Sequence, residues 1–401
     1  MQWSKVKRRF QDKGYKPRLK ECRNNYWLVQ FVRDGRFKHH CPACRSSKLR
    51  LKRTHWAYAR DEPFGIKTRI EILYPSVTAY CRNCDIHMTL RPSMIHKSAQ
   101  ATRRYLEFIS EICRDEPAKA VADKFGHSVT TICEWDKHVL RNKLPPPDLN
   151  RLRILLVDEK AVRRRHHYVT VVMNGDTREL LFMKEGKKKE TLLEFINHLN
   201  PKQKARIRAV GMDRGGAYLA AVRESLPHAA IVFDKFHLIQ NLNRAIDEVR
   251  REEYRNAVKT KSPMARLIQG QRFNLFRLSE NRSEAQTLRL QELLDANRNL
   301  SLAHLLSEEL RLLWDYRHRG YAERFLRDWV AWVEESGLSP MIRYARGLWR
   351  DRENILSYIR YEVTTGPLEA FNGTIERILR RSCGIRDLEY LYLKIRQESL
   401  K

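Results

Sequence analysis

Apolar runs and amphipathic patterns alternate along residues 151–245. The runs whose length and β-branched content predict strands are RILLVD, HHYVTVVMN, ELLFMKEG, IRAVGMD and AAIVFD. Apolar residues recur at helical spacing in two stretches between the later strands, KETLLEFINHLN and AYLAAVRESL. The order of three strands, a helix, a strand, a helix and a strand predicts an α/β domain.

The patterns on either side divide the chain into further segments. Consecutive prolines break both helix and strand, so KLPPPDLN is predicted to be a linker. The predicted segments are a basic N-terminal arm with one strand (1–40), a cysteine-bearing segment (41–92), a helical segment (98–142), the linker (143–150), the α/β region (151–245), a nearly all-helical region (246–361) and a last segment with a helix opened by TTGPLEAF (362–401).

Acidic residues close three of the predicted strands. Asp158 ends RILLVD, Asp213 ends IRAVGMD and Asp234 ends AAIVFD. Ligands gather at the carboxyl ends of strands in open α/β sheets, so acids from separate strands can converge there. Adjacent strand residues point to opposite faces, and we therefore assign Asp158 and not Glu159 to such a site. An aspartate after a strand is also a common turn former or helix N-cap, above all Asp234, which directly precedes a helix.

Converging carboxylates indicate a particular chemistry. Acids at one sheet edge suit two divalent cations about 3.5–4 Å apart, which clamp the attacking and leaving oxygens of a phosphoryl displacement. Mg²⁺ is the hard cation that prefers such carboxylate oxygens. The order of strands and helices is also that of a ribonuclease-H-like domain. The sequence therefore predicts metal-dependent chemistry on phosphodiesters within this region.

The charge of the chain indicates what such a site acts on. The 401 residues carry a formal net charge of +30, with a pI near 10.0. This excess predicts strong attraction to a polyanion and favours nucleic acid as the partner. No apolar run approaches the roughly 20 residues of a spanning helix, and the N-terminus lacks the apolar core of a secretory signal. We expect a cytoplasmic protein without membrane association.

Half of the eight cysteines form two Cys-x-x-Cys pairs, CPAC and CRNC. The four residues are Cys41, Cys44, Cys81 and Cys84. Four thiolates suit one tetrahedral Zn²⁺, and a closed set of four is structural. The gap of 36 residues between the pairs leaves room for strands, which favours a zinc ribbon over a compact finger. The alternative is four reduced thiols near a turn, with His55 or His87 as other ligands.

The helical segment at 98–142 contains a second recognisable pattern. PAKAVADKFGHSVTTICEWDKHVLRN predicts a helix, a turn at Gly126 and a second helix with Ser128 as its N-cap. Its predicted core consists of Val121, Phe125, Val129 and Ile132. In a helix-turn-helix the second helix enters the major groove of DNA. The predicted DNA contacts are Ser128, Thr130, Thr131, Glu134, Lys137 and Arg141, the last two to phosphates. An ordinary helical hairpin is the alternative.

Three stretches resemble the catalytic blocks of DDE-type bacterial insertion-sequence transposases, most of all the IS-L-three family. They are VDEKAVRRRHHYVTVV, AVGMDRGGAYLAAVRESLPHAAIVFDKFHLIQNLNRAIDEVRR and TTGPLEAFNGTIERILRRSCGIRDLEYLYLKIR. The resemblance implies a ribonuclease-H-like catalytic domain interrupted by an all-helical insertion, preceded by a zinc ribbon and a helix-turn-helix. It implies that Asp158, Asp213 and Glu369 bind two Mg²⁺, which Mn²⁺ can replace, and catalyse strand cleavage and transfer.

Two of the motifs that carry the resemblance, one around Glu369 and the other DKFH, also have a purely structural interpretation. The family pattern LEGxNN supports Glu369, although Ala370 and Gly373 replace two of its residues. An acid in the first turn of a helix is also favoured by the helix dipole alone. DKFH resembles an Asp-x-x-His signature of several transposase groups, which makes Asp234 and His237 accessory candidates. A helix cap beside a packed histidine is the simpler interpretation.

The function implied by the resemblance is that of a DNA transposase. We expect it to bind double-stranded DNA at the terminal inverted repeats of its element and at target DNA, as a homodimer or larger assembly. Such a protein would work on the bacterial nucleoid. Two other functions stay open: a non-catalytic DNA-binding protein or repressor, and a structure-specific metal-dependent nuclease of the same fold.

Overall fold

The computed structural model describes residues 3–65, 68–163, 167–363, 366–382 and 385–399, apart from the side chains of Arg163, His167 and Glu369. The chain forms two compact units. The first contains residues 1–145 and 379–397, and the second contains 146–378 and 398–401. Within the described residues, no helix is both long and apolar enough to cross a membrane.

The first unit begins with a five-stranded sheet. Its elements are α1 (Trp3–Val6), a 3₁₀ turn (Lys7–Phe10), β1 (Tyr15–Arg23), β2 (Tyr26–Arg33), β3 (Leu49–Asp61), β4 (Arg69–Cys81) and β5 (Ile86–Leu90). The strands lie in the order β1-β2-β4-β3, and β5 also pairs with β4. One face is closed by fully buried apolar side chains, including Phe10, Phe31 and Ile72. The predicted single strand of the N-terminal arm is thus one of a pair.

Three helices follow: α2 (Arg103–Asp115), α3 (Ala118–Phe125) and α4 (Val129–Lys143). Gly126 ends α3 in the left-handed region, at a φ of 69° that favours glycine. Ser128 is the predicted N-cap of α4, and its side chain accepts a hydrogen bond from the Thr131 backbone N–H. The prediction of Val129 in the core is wrong, since this side chain is 43% exposed at the first position of α4.

The second unit contains the predicted α/β region. Its strands are β6 (Ile154–Arg163), β7 (His167–Asn174), β8 (Leu180–Glu185), β9 (Ala209–Met212) and β10 (Ala230–Phe233). They lie in the order β10-β9-β6-β7-β8. β10, β9 and β6 run parallel, whereas β7 and β8 are antiparallel to their neighbours. All five strands expected from the apolar runs are therefore present, in a mixed sheet.

Helices complete the second unit. They are α5 (Lys189–His198), α6 (Pro201–Arg206), α7 (Gly216–Ser225), α8 (Lys235–Lys259), α9 (Met264–Ile268), α10 (Arg272–Phe276), α11 (Glu284–Ala296), α12 (Arg298–Arg311), α13 (Arg319–Glu335), α14 (Ser339–Arg350), α15 (Arg352–Leu356), α16 (Tyr358–Tyr361) and α17 (Gly366–Arg381), with 3₁₀ turns at Ser279–Asn281 and Leu312–Asp315. The long stretch from α8 to α16 contains no strand within the described residues. Tyr344 anchors α14 to α8, because its hydroxyl donates to the Leu238 carbonyl at 2.9 Å.

The last helix, α18 (Leu388–Ser399), belongs almost entirely to the first unit. The buried Lys394 ammonium lies 3.1 Å from the Asp136 carboxylate and donates to the Cys113 carbonyl at 2.8 Å. The Tyr390 hydroxyl donates to Asp136 at 2.6 Å. Residues 362–401 were predicted as one part of the catalytic domain; by its contacts this segment is divided between the two units.

Candidate active site and four-cysteine cluster

Three aspartates lie at the same level of three adjacent strands. The register pairs Val157 of β6 with Met212 of β9, and Met212 with Phe233 of β10. Asp158, Asp213 and Asp234 are the next residues on these three strands. The parallel pairing therefore brings together the acids that the sequence analysis expected to converge. β6 continues beyond Asp158 to Arg163 by pairing with β7, so Asp158 lies where the ladder to β9 stops and not at a strand end.

A cavity of about 520 Å³ opens at this level and is bordered by Asp158, Asp213 and His237. The Asp158 carboxylate accepts hydrogen bonds from the Glu159 backbone N–H at 2.7 Å and from Nδ2 of Asn372 at 2.9 Å. Burial raises the pKa of Asp158, the Asn372 hydrogen bond lowers it, and the charge of Asp213 raises it again. Two carboxylates close enough to repel each other form an environment that favours a cation.

His237 joins the other two aspartates. Its Nδ1 lies 2.6 Å from the Asp213 carboxylate and 3.0 Å from that of Asp234. Asp234 also caps α8, because it accepts the His237 backbone N–H at 3.2 Å. The hydrogen bonds to Asp213 and Asp234 raise the pKa of His237 to about 10. The imidazolium therefore compensates these carboxylates at neutral pH. The three groups lie close enough together to ligate one metal ion, but His237 would have to release its proton first.

The rim of the cavity is basic. Lys187, Arg214 and Arg244 border it. Arg214 is held by Asp351 at 2.5 Å, and the Lys187 ammonium lies 4.3 Å from the centre of the Tyr168 ring. Asp351 neutralises Arg214, so Lys187 and Arg244 supply the positive charge at this rim, which suits a polyanionic substrate.

Glu369 lies in the first turn of α17, but its side chain is outside the described residues. The helix that carries it has the predicted buried stripe, since Phe371, Ile375 and Ile378 are 7%, 0% and 2% exposed. Asn372 ties this helix to β6 through Asp158. Glu376 of the same helix lies 2.7 Å from Lys160, also on β6. α17 is therefore attached at two points to the strand that carries Asp158.

Asn372 is the site residue that sequence reasoning missed. Its Nδ2 holds Asp158, while its Oδ1 is buried without a hydrogen-bond partner among the described residues. An amide oxygen of this kind is a hard ligand, suited to Mg²⁺ or to a water bound by it. The only signal in the sequence was its position in LEAFNG, three residues after Glu369.

The four predicted cysteines form a second, separate cluster. The Sγ atoms of Cys41 and Cys84 are 3.9 Å apart, and those of Cys44 and Cys81 are 3.5 Å apart. Four sulfurs bound to one tetrahedral zinc at about 2.3 Å lie about 3.8 Å from one another, so the cluster fits this ion. The backbone N–H of Cys44 lowers the pKa of Cys41 and favours the thiolate that a metal requires.

Both cysteine pairs have the same backbone shape. Arg45 and Asp85, which directly follow the second cysteine of each pair, have φ values of 57° and 53°. Each pair is therefore a tight turn, one before β3 and the other between β4 and β5. Because β3 and β5 both pair with β4, the two turns lie side by side at one end of the sheet.

The predicted DNA-contact residues of α4 have different surroundings. Thr130 and Glu134 are exposed, whereas Ser128 and Thr131 are engaged in the cap. Lys137 lies 2.5 Å from Asp387, and Arg141 contacts both carboxylate oxygens of Glu389 at 2.5 and 2.6 Å. These two side chains, expected to contact phosphates, are therefore in ion pairs within their own unit.

Comparisons with known proteins identify the family of the chain. The model of the DDE transposases of the IS-L3 type, described as transposase, matches residues 155–395. The chain is 30% identical over 356 residues to the transposase for insertion sequence element IS1001 of Bordetella parapertussis. The aligned region covers 89% of this chain and 87% of that relative. It is 26% identical over 260 residues to the transposase for insertion sequence element IS1557 of Mycobacterium tuberculosis (strain ATCC 25618 / H37Rv), which covers 60% of this chain and 58% of that relative.

Proposed function

Because this chain belongs to the IS-L3 family of DDE transposases, we propose that it binds the terminal inverted repeats of its insertion sequence, cuts DNA there and joins the freed end to target DNA. The observation that carries the proposal is the common level of Asp158 and Asp213 on neighbouring strands, in a cavity with a basic rim. Its fold is then ribonuclease-H-like, with the stretch from α8 to α16 as the insertion and α2–α4 as a helix-turn-helix.

The catalytic acids in this proposal are Asp158, Asp213 and Glu369, which hold two Mg²⁺ or Mn²⁺ ions. Such ions activate a water or a 3′-hydroxyl and stabilise the leaving oxygen in an in-line displacement at phosphorus. The residues present fit this chemistry, because the carboxylates of Asp158 and Asp213 border one cavity. Asn372 positions Asp158 by donating to one of its oxygens. No covalent bond between protein and DNA forms in this scheme.

His237 and Asp234 have an accessory role in the proposed reaction. The His237 imidazolium holds Asp213 at the correct level and compensates its charge when no cation is bound. Asp234 fixes the imidazole from the other side and caps the helix that carries it. Both residues therefore position Asp213 and do not need to contact the DNA.

The first unit serves in DNA recognition. Cys41, Cys44, Cys81 and Cys84 hold one structural Zn²⁺, which fixes the end of the sheet that they occupy. α4 presents exposed polar residues, including Thr130 and Glu134, for reading the bases. Pairing of two element ends requires two copies of the active site, and we propose that the protein acts as a dimer or larger assembly in the bacterial cytoplasm.

The experiment is strand cleavage and joining with purified protein and labelled DNA that carries the inverted repeat flanking the gene. Wild-type protein in Mg²⁺ should nick at the repeat boundary and form joined products, and both should disappear with chelator and in Asp158→Asn. Binding without cutting under all metal conditions would favour a repressor. Metal-dependent cutting that never yields joined product would favour a nuclease.

A further inference from the structure

Two faces of α4 carry basic or polar side chains, and the two faces differ in whether acids neutralise the positive charge. On one face, one turn apart, Lys137 and Arg141 bind Asp387 and Glu389. These hydrogen bonds lower the pKa of Glu389 to about 2, so the acids stay ionised and the face is neutralised. The ion pairs leave little positive charge there for a phosphate.

The neighbouring face of α4 borders a cavity of about 540 Å³ within the same unit. Three cations, Lys97, Arg103 and Lys143, and one acid, Glu107, line it. Glu107 holds Lys143 at 2.9 Å. Lys97 and Arg103 have no ion-pair partner among the residues that the structure describes. The cavity therefore has an excess of two positive charges, three cations less one carboxylate.

Neutral side chains complete the lining. Nε2 of His96 lies 3.0 Å from Nε2 of His138, and Nδ2 of Asn142 donates to the His138 carbonyl at 2.7 Å and lies 3.4 Å from the same ring nitrogen. The Ser98 backbone N–H donates to Nδ1 of His96 at 3.3 Å, so His96 carries its proton on Nε2, the nitrogen that faces His138. Arg91 fixes the segment that carries His96, because its guanidinium donates to the Lys97 carbonyl at 2.6 Å.

The lining distinguishes between possible ligands. Two imidazole nitrogens this close can ligate a transition metal, but a cation would enter against the uncompensated charges of Lys97 and Arg103. An anion is attracted by the same charges, and the N–H groups of Lys97 and Arg103 can donate hydrogen bonds to it. Arg103 is also the first residue of α2, where the helix dipole adds positive potential.

We propose that this cavity, bordered by Lys97, Arg103, His96, His138 and Asn142, binds a phosphate group of the DNA backbone. This inference rests on the DNA binding proposed above, and it specifies which part of the protein contacts a phosphate of the DNA backbone. It moves the phosphate-contacting face of α4 from Lys137 and Arg141 to His138 and Asn142. Lys97 and Arg103 supply both the charge and the hydrogen bonds to the phosphate oxygens, and His96, His138 and Asn142, which are paired with one another, border the same cavity.

The test is the salt dependence of binding by the full-length protein to a random-sequence DNA duplex. The cavity variant is Lys97→Gln with Arg103→Gln, and the control is Lys137→Gln with Arg141→Gln, which removes the same charge from the ion-paired face. For the cavity variant we expect a salt slope smaller by about one and roughly tenfold weaker binding near physiological salt. The control should stay within about threefold of wild type. Zinc content and thermal melting report whether each variant is folded.

An equal or larger loss in the control would overturn the inference while leaving DNA binding intact. An unchanged slope in a folded cavity variant would do the same. Absence of DNA binding by the wild-type protein would instead contradict the proposed function, and this inference with it. A second measurement uses inorganic phosphate alone: it should shift the imidazole NMR signals of His96 and His138 and leave that of His198 unmoved.

Discussion

The four-cysteine cluster and the aspartate cavity are both metal-site candidates, but they are assembled in opposite ways. The cysteines come from two turns joined by paired strands, all within residues 41–84, and their sulfurs already lie at tetrahedral spacing. The aspartates of the cavity follow or lie on separate strands, 76 residues apart in sequence from Asp158 to Asp234, and Glu369, the third acid proposed, belongs to α17. A closed local set of four thiols suits a structural ion, whereas an open cavity built from remote residues leaves room for a substrate.

Protein side chains also stabilise the carboxylates of the aspartate cavity when no divalent cation is bound. His237 compensates Asp213 and Asp234, and Asn372 holds Asp158. The cysteine cluster has no such cationic partner within hydrogen-bonding distance among the described residues. Zinc is therefore expected to be needed for folding of its sheet, whereas the acidic cavity should persist without divalent ions.

The largest effect is expected from Cys81→Ser. Cys81 is fully buried at the end of β4, and structural zinc contributes apparent free energies of about 10–16 kcal/mol in small zinc domains. The variant should lose bound zinc and the cooperative unfolding of the first unit. Elemental analysis and thermal melting measure both. Cys22→Ser, at an exposed cysteine outside the cluster, is the control and should behave as wild type.

Asp213→Asn should abolish strand cleavage, by at least about 10³-fold, in a protein that stays folded. The variant keeps the shape of the side chain but removes the charge that a metal ion and a developing negative charge at phosphorus require. Cleavage of labelled inverted-repeat DNA and thermal melting are measured together. Asp176→Asn provides the matched control, because Asp176 pairs with Arg153 in a turn of the same unit. Equal loss of cleavage in both variants would argue against a special role for Asp213.

Asn372→Ala should lower the cleavage rate by about 10–100-fold, as is typical when a residue that orients a metal ligand is removed. The affinity for Mn²⁺, measured by electron paramagnetic resonance on the protein without DNA, should fall as well. Thr374→Ala, two residues away at a half-buried position whose hydroxyl bonds to Ala370 and Arg377 of the same helix, controls for α17 itself. If Asn372 only packs α17, the melting temperature will change and the Mn²⁺ affinity will not.

A smaller effect concerns the pH dependence of stability, because two histidines, one in each unit, have pKa values shifted in opposite directions. Burial lowers the pKa of His127, between α3 and α4, to about 4, whereas the pKa of His237 is raised to about 10. The unfolded chain therefore takes up a proton at His127 below pH 6.5, and the stability of the first unit should fall by up to about 2 kcal/mol at pH 5. His237 stays protonated throughout this window. Denaturant unfolding at pH 7 and pH 5 tests this, and His127→Gln should remove most of the dependence.

Much of the second unit's sheet was predictable, because strand alternation and strand-end acids are local signals. The parallel register then brings Asp158, Asp213 and Asp234 together without further information. The Ser128 cap was predictable for the same local reason. Val129 was misplaced because its apolar character suggested a core position, whereas the first turn of α4 leaves it exposed.

The features that escaped prediction depend on long-range contacts. The hydrogen bond from Asn372 to Asp158 joins residues 214 positions apart. The ion pairs of Lys137 and Arg141 come from acids about 250 positions away, on a segment expected to belong to the catalytic domain. No periodicity or spacing reports such a pairing, since it depends on how α18 docks against α2 and α4.

We propose that the cysteine cluster stabilises the fold and that the aspartate cavity performs the chemistry. The decisive measurement is strand cleavage and joining by Asp213→Asn in Mg²⁺, with zinc content and thermal melting determined on the same preparation beside wild type. We expect one zinc per chain, cooperative thermal melting and no cleaved or joined DNA. Cleavage at the wild-type rate by this folded, zinc-loaded variant would contradict it.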